Sequence, residues 1–400
     1  MSTSSLAAPR SLSPLALGSL GLACTFVALG MGRFSFTPMM PMLIAEGVAS
    51  PAGVNLAAAL MMVGYTVGAI GSAWAGRRFG TRRMVRLALM VISAALATEA
   101  LPLPLELHAL MRFLCGMGGA VLIILAPSLL LQSTSADGRA KVAGLTYTGI
   151  GLGTLISGAV VPWAGTVATA SLALAALSAV AMVSSYWLPA PSPPVHHAQS
   201  DSDPAVRLSW SQKLRRGWPV VGLVALAYAL DAFAYVPHSA LWGTFVAQEV
   251  GLGVTVAGHH WMLFGLGAIC GPMLVARFAA TLGFRRTLGG AMTLKAGAIL
   301  LPWLTTAPWA LALSITLVGA LVPSVVALTS GRLAEIDPDK MAARWGVATS
   351  AFAIFQAAGG WIHASLYASF HSYLPLFPIA ASVLAVGAVI VFLARESERT

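Results

Sequence analysis

Four ionisable side chains lie inside stretches that are otherwise apolar: Arg33, Arg112, Asp231 and Lys295. A charged group in hydrocarbon costs about 2.5 kcal/mol or more, so each is a functional candidate by default. Arginine stays protonated and offers carboxylates a rigid planar fork. Arg33 shares a helix face with Phe26, Gly30 and Thr37. Two uses fit it: recognition of an anionic solute, or a structural pair with an acid or with backbone carbonyls. Asp231 stands roughly 18 Å along its run at about 1.5 Å per residue, close to the middle of a bilayer. Tyr228, Asp231, Tyr235, His238 and Trp242 repeat at helical spacing and form one polar–aromatic stripe. A carboxylate at that depth can load and unload a proton during transport. The alternative is that it balances Arg33. Gln356 shares a face with Thr349, Phe352, Gly359 and His363, and suits either a solute hydrogen bond or a helix–helix bond. Lys295 reads as structural, with its ammonium snorkelling toward water. Tyr65 and Tyr147 are further candidates for a cavity wall.

These residues need elements that hold them in a membrane. Hydrophobic residues make up 58% of the 400-residue chain and charged residues 9%, against about a quarter charged in a soluble domain. Twelve spans of about 20 residues use ~240 residues and leave short loops. The expected fold is therefore an all-α membrane protein of twelve transmembrane helices. The first run, Leu15–Leu43, is too long for the core of a secretory signal. The briefest break, Thr305–Pro308, is where two spans are most easily merged into one. The segment 189–217 is rich in Pro, Ser, His and charge and reads as a linker between residues 1–188 and 218–400.

Of the 23 basic residues, all but Arg33, Arg112 and Lys295 fall in alternate connecting segments; the intervening loops hold none. This asymmetry places those segments and both termini in the cytoplasm. The net charge of +10 then faces anionic lipid headgroups rather than nucleic acid. Cys24, Cys115 and Cys270 read as small buried hydrophobes. His196 and His197 read as a solvated linker pair, so no metal or other cofactor is expected. No phosphate-cradling glycine loop points to ATP as a direct energy source. The acidic cluster Glu335, Asp337 and Asp339 has no nucleophile or histidine beside it, which argues against an enzyme.

The two halves echo each other. Gly68-Ala69-Ile70 returns as Gly267-Ala268-Ile269, displaced by 199 residues (68 to 267). Gly80-Thr81-Arg82-Arg83 returns as Gly283-Phe284-Arg285-Arg286, displaced by 203 (80 to 283). This is the mark of a parallel repeat. The stretch Arg112-Phe-Leu-Cys-Gly116-Met-Gly118-Gly-Ala120 fits R-x-x-x-G-x-G-x-A and resembles the fourth helix of the major facilitator superfamily. The loop after the second span is similar to that superfamily's basic loop but departs from it, with Arg77 where an acid is usual and Ala73 where a glycine is usual. The fifth span is glycine-rich yet lacks the Gly-Pro pair of proton antiporters. Met31–Pro38, Asn55–Gly76, Asp231–His238 and Trp261–Ala268 resemble the YbfB/YjiJ branch of bacterial transporters.

That resemblance implies two six-helix halves around a central cavity lined by the seventh span, with Lys295 on a peripheral helix. It implies a multi-pass protein of the cytoplasmic membrane that works by alternating access, and for that branch it names no substrate; the intramembrane charges point to a small polar or anionic organic solute coupled to protons, and a monomer is expected. Under it, Arg33, Thr37, Tyr65, Arg112, Tyr147, Asp231, Tyr235, His238 and Gln356 are the expected translocation residues, with Asp231 and Arg112 coupling to protons. Arg77, Arg78 and Arg82 would meet Glu335, Asp337 and Asp339 as an inner gate. The alternatives are an efflux pump for amphipathic compounds, a non-transporting sensor or a lipid flippase.

Overall fold

The computed structural model describes residues 12–189, 218–336 and 341–394. Twelve long helices follow one another: α1 (Pro14–Ala45), α2 (Pro51–Phe79), α3 (Thr81–Thr98), α4 (Leu105–Gln132), α5 (Arg139–Trp163), α6 (Val167–Ser184), α7 (Val220–Glu249), α8 (Gly253–Leu282), α9 (Phe284–Leu304), α10 (Pro308–Ile336), α11 (Met341–Phe370) and α12 (Leu376–Leu393). Ten of them are long and apolar enough to cross a bilayer on composition alone. They form two six-helix halves, α1–α6 and α7–α12. The expected linker lies outside the described residues, apart from Pro189.

Local sequence sets the helix ends. Ser50 accepts from the Gly53 N–H at 3.2 Å with Pro51 in the first turn, an N-cap followed by a residue whose missing donor would be unpaired anyway. Gly80 (φ +91°) and Gly283 (φ +78°) stop α2 and α8 at equivalent places, where a left-handed backbone angle favours glycine. Spans nine and ten stay separate because the chain breaks at Thr305, whose Oγ1 accepts from Ala307 N–H at 3.2 Å.

Two helices depart from regular geometry. In α1, residues Phe26–Phe34 are wound as a π-helix, and in α7 so are Pro237–Leu241 and Phe245–Glu249. Such wide turns re-aim side chains and concentrate at functional sites. The halves touch where α1 meets α7, where α2 meets α11 and where α5 meets α8. The last seam accounts for Gly151 and Gly158 of the fifth span, whereas Gly149 and Gly153 pack on α1. A Cβ on Gly265 of α8 would stand 2.6 Å from the Leu155 N and 2.8 Å from the Gly151 O of α5. In lipid, close backbone approach of this kind supplies packing that the hydrophobic effect does not. One expectation needs correction. Cys270 is exposed rather than buried, because its side of α8 faces outward. Trp345 stacks on Tyr228 with ring centroids 5.7 Å apart.

Gly265→Ala should therefore destabilise the bundle by about 1–3 kcal/mol through overpacking. Gly290→Ala in α9, where an added Cβ meets open space, should leave stability equal or slightly higher. Thermal unfolding of the two purified variants checks this, and equal midpoints would refute the close-packed seam.

Candidate functional site

The phenol of Tyr235 joins three helices. Arg33 Nη2 of α1 donates to its oxygen at 2.7 Å, and Gln356 Nε2 of α11 donates to the same oxygen. The Arg33 guanidinium lies 5.2 Å from the Phe34 ring, 5.4 Å from Tyr65 and 5.8 Å from Tyr235, within cation–π range. One turn on, Thr37 Oγ1 donates to the Ser239 carbonyl at 2.7 Å. Both α1–α7 contacts span 202 residues, between the two displacements of the sequence repeat. The halves thus meet here at equivalent positions.

Beside this joint lies an ion pair inside the second half. Lys295 Nζ of α9 donates to Asp231 Oδ1 at 2.7 Å, and both side chains are sealed from solvent. The same ammonium stands 5.1 Å from the Tyr235 ring centroid. Lys295 therefore does not snorkel: it is fully buried because Asp231 supplies the charge that water would otherwise provide. Sequence reasoning placed it on a peripheral helix and missed this role. The signal was present, since the chain has only one lysine within its spans and one acid near mid-depth.

Arg112 is tied to a partner that the sequence reading overlooked. Its Nε donates to Glu99 Oε1 at 2.6 Å and its Nη2 to Glu99 Oε2. This two-point pair clamps α4 to the end of α3, with the guanidinium 4.6 Å from the Phe36 ring. Glu99 is 1% exposed. His238 is also fully buried; its Nε2 lies 2.8 Å from Ser314 Oγ of α10, and its ring stacks 4.6 Å from Trp242. Tyr147 on α5 is 49% exposed.

The two ends of the molecule differ. At the end whose loops carry no basic residues, Tyr373 Oη donates to Asn55 Oδ1 across the halves at 3.2 Å. The Glu249 carboxylate accepts from Ser372 Oγ at 2.6 Å and from the backbone N–H groups of Tyr373 (2.5 Å) and Leu374 (3.3 Å). At the arginine-rich end, Arg82 donates to the Tyr186 carbonyl at 3.1 Å, within its own half. Arg77 and Arg78 are exposed. Glu335 pairs with Arg332 on its own helix at 3.1 Å. Asp337 and Asp339 lie outside the described residues. Among the described residues no cluster of His, Cys, Asp or Glu is placed to hold a metal.

The model of a family described as "Uncharacterised MFS-type transporter YbfB" matches residues 25–392. Solute carrier family 22 member 12 of Mus musculus is 30% identical over 134 residues, which is 34% of this chain and 24% of that protein. Its counterpart in Rattus norvegicus is 29% identical over the same length. The chain thus matches about a quarter of the length of these curated relatives. Among solved structures, a D-xylose-proton symporter superimposes with a TM-score of 0.76 at 14% identity, covering 96% of this chain and 98% of the other. A mutant of the nucleoside transporter NupG gives 0.70 at 12% identity, over 95% and 100%. At such identities the likeness is one of fold.

The clamp between Glu99 and Arg112 yields a test. Glu99→Gln or Arg112→Met alone leaves a buried charge without its partner and should destabilise by about 3–5 kcal/mol. Combining the two should recover much of that loss. A double-mutant cycle on thermal unfolding measures it, and strictly additive losses would count against the pair.

Proposed function

The chain belongs to the YbfB-type transporters of the major facilitator superfamily, and from that membership we propose a secondary active transporter that moves a small polar or anionic organic solute by alternating access, coupled to protons. It is a transporter, not an enzyme. The observation that carries the proton reading is the sealed Asp231–Lys295 pair beside the Tyr235 joint. A proton symporter among the proteins of the same fold supports it. The split of basic residues favours cytoplasmic termini and residence in the cytoplasmic membrane. The monomer is the working unit, with residues 1–188 and 218–400 rocking about the segment between them.

The solute site is built from Arg33, Thr37, Tyr65, Tyr147, Tyr235, His238 and Gln356. Asp231 carries the proton. The groups that bear on its charge are Lys295 from α9 and Tyr228 and Tyr235 on its own helix. Protonating Asp231 removes the charge that holds the Lys295 ammonium near Tyr235, which loosens the phenol that ties α1 and α11 to α7. Arg112 takes part in coupling through Glu99, the other buried acid among the described residues. With the basic-free end closed by Tyr373 and Asn55, the arginine-rich end is the one that opens to the cytoplasm. When it closes, Arg77, Arg78 and Arg82 meet Glu335, Asp337 and Asp339. One exposed pair is worth about 0–1 kcal/mol, but several together bias a rocking equilibrium of a few kcal/mol.

Asp231→Asn keeps the side chain's shape and removes its titration. In proteoliposomes it should abolish accumulation driven by an imposed pH gradient while solute exchange at equal pH persists. Unchanged gradient-driven accumulation would remove Asp231 from coupling.

Neutralising Glu335, Asp337 and Asp339 together should shift the molecule toward the state open at the arginine-rich end. Spin labels on the adjacent ends of α2 and α11 report the separation. The effect should be largest at low salt, where exposed pairs are least screened, and an unchanged distance distribution there would refute the gate.

A further inference from the structure

We propose that the joint between the halves binds a small organic monocarboxylate, with its carboxylate on Arg33 and a hydrogen-bond donor of the same molecule on Gln356; this rests on the transporter reading above.

Charge bookkeeping inside the bundle comes first. Among the described residues, the buried acids are Glu99 and Asp231, and each is committed, to Arg112 and to Lys295. Arg332 and Arg344, toward the arginine-rich end, have partners of their own. Arg33 is 4% exposed, and the described residues offer it no carboxylate. Its hydrogen-bond partner is a neutral phenol, and three aromatic rings surround it. A buried charge left without a counter-ion is costly. One negative charge completes the site. A neutral solute leaves the cation uncompensated, and a dianion brings a second charge with nothing to meet it.

Geometry narrows the ligand further. Arg33 spends Nη2 on Tyr235, while Nε and Nη1 have no partner among the described residues. Neither belongs to the buried donors that lack one, so both reach accessible space. Two adjacent N–H groups of a guanidinium are the fork that a carboxylate grips at two points. Gln356 supplies an independent observation. Its Nε2 is used on Tyr235, but its Oε1 is buried with no hydrogen-bond partner. A buried acceptor left without a donor is unfavourable, and an O–H or N–H of the ligand satisfies it.

The approach to the site is aromatic. From the arginine-rich end, Trp345 stacks on Tyr228, Tyr228 lies 4.5 Å from Phe352, and Phe352 stacks on Tyr235 at 6.1 Å. Trp345 and Phe352 keep part of their surface open. These faces suit a flat or apolar body behind the carboxylate.

The test measures binding directly on the purified full chain in neutral detergent by calorimetry. The probes are lactate, benzoate and 4-hydroxybenzoate, each beside its primary amide. At least one carboxylate should bind saturably, 4-hydroxybenzoate most tightly and each amide about tenfold or more weaker, a factor worth ~1.4 kcal/mol. Arg33→Gln should weaken carboxylate binding by the same factor. Gln356→Leu should erase the advantage of 4-hydroxybenzoate over benzoate. Arg285→Gln, at a half-buried arginine bonded to the Phe392 carbonyl away from the joint, should change nothing. The inference is overturned if no carboxylate binds, if the amides bind as well, or if Arg33→Gln keeps full affinity. The comparison of acid with amide uses the unaltered protein, so misfolding of a variant does not decide it. Counterflow in proteoliposomes is a separate readout. A carboxylate that binds but is not carried sinks the transport reading alone. A neutral solute that is carried while no carboxylate binds sinks this inference alone.

Discussion

The rest of the molecule is arranged around the hydrogen bonds to the Tyr235 phenol. One oxygen accepts from an arginine of the first half and from a glutamine of the second, and its ring faces the lysine that neutralises Asp231. With little water in the bilayer to take over these bonds, each is strong while made and expensive when broken. On the proposed reading, that dependence is what lets one proton or one bound anion act on the joint. The π-helical turns in α1 and α7 flank the same place, and they give the two helices geometry that a regular helix would not have.

The other contacts between the halves differ in kind. The seam of α5 and α8 is backbone against backbone at glycines, held by dispersion and shape, with no ionic bond to rupture when the halves tilt. The Tyr373–Asn55 bond closes one end and is a single neutral hydrogen bond, worth about 0.5–1.5 kcal/mol net. A structure joined by packing, by a few neutral hydrogen bonds (Tyr373–Asn55, Thr37–Ser239 and Thr66–Ala353) and by one charged hub can rearrange at modest cost.

Among the described residues, the two sealed ion pairs lie within the halves. Glu99–Arg112 fixes α3 to α4, and Asp231–Lys295 fixes α7 to α9. Arg33, by contrast, belongs to the contact between halves, where its hydrogen-bond partner is the neutral Tyr235 phenol.

Sequence by itself determined the membrane class, the run of apolar helices and which charged residues lie inside them. Each of these follows from one-dimensional quantities: apolar run length, the side on which basic residues fall, and the spacing of glycines such as Gly80 and Gly283. It also singled out Arg33, Asp231, Tyr235 and Gln356, because polar groups are rare in apolar runs and helical spacing reveals which ones share a face. The partners were decided only by the tertiary structure. Lys295 looked like a snorkelling residue because spacing along α9 says nothing about α7, which lies 64 residues away in sequence at the closest bond. Glu99 stands at the end of α3, and its pairing with Arg112 depends on how α3 leans on α4. The stack of Trp345 on Tyr228 likewise comes only from the packing of α11 against α7. A helix's own sequence fixes which face is polar; which neighbouring helix that face meets is set by the packing of all twelve, and that information exists only in three dimensions.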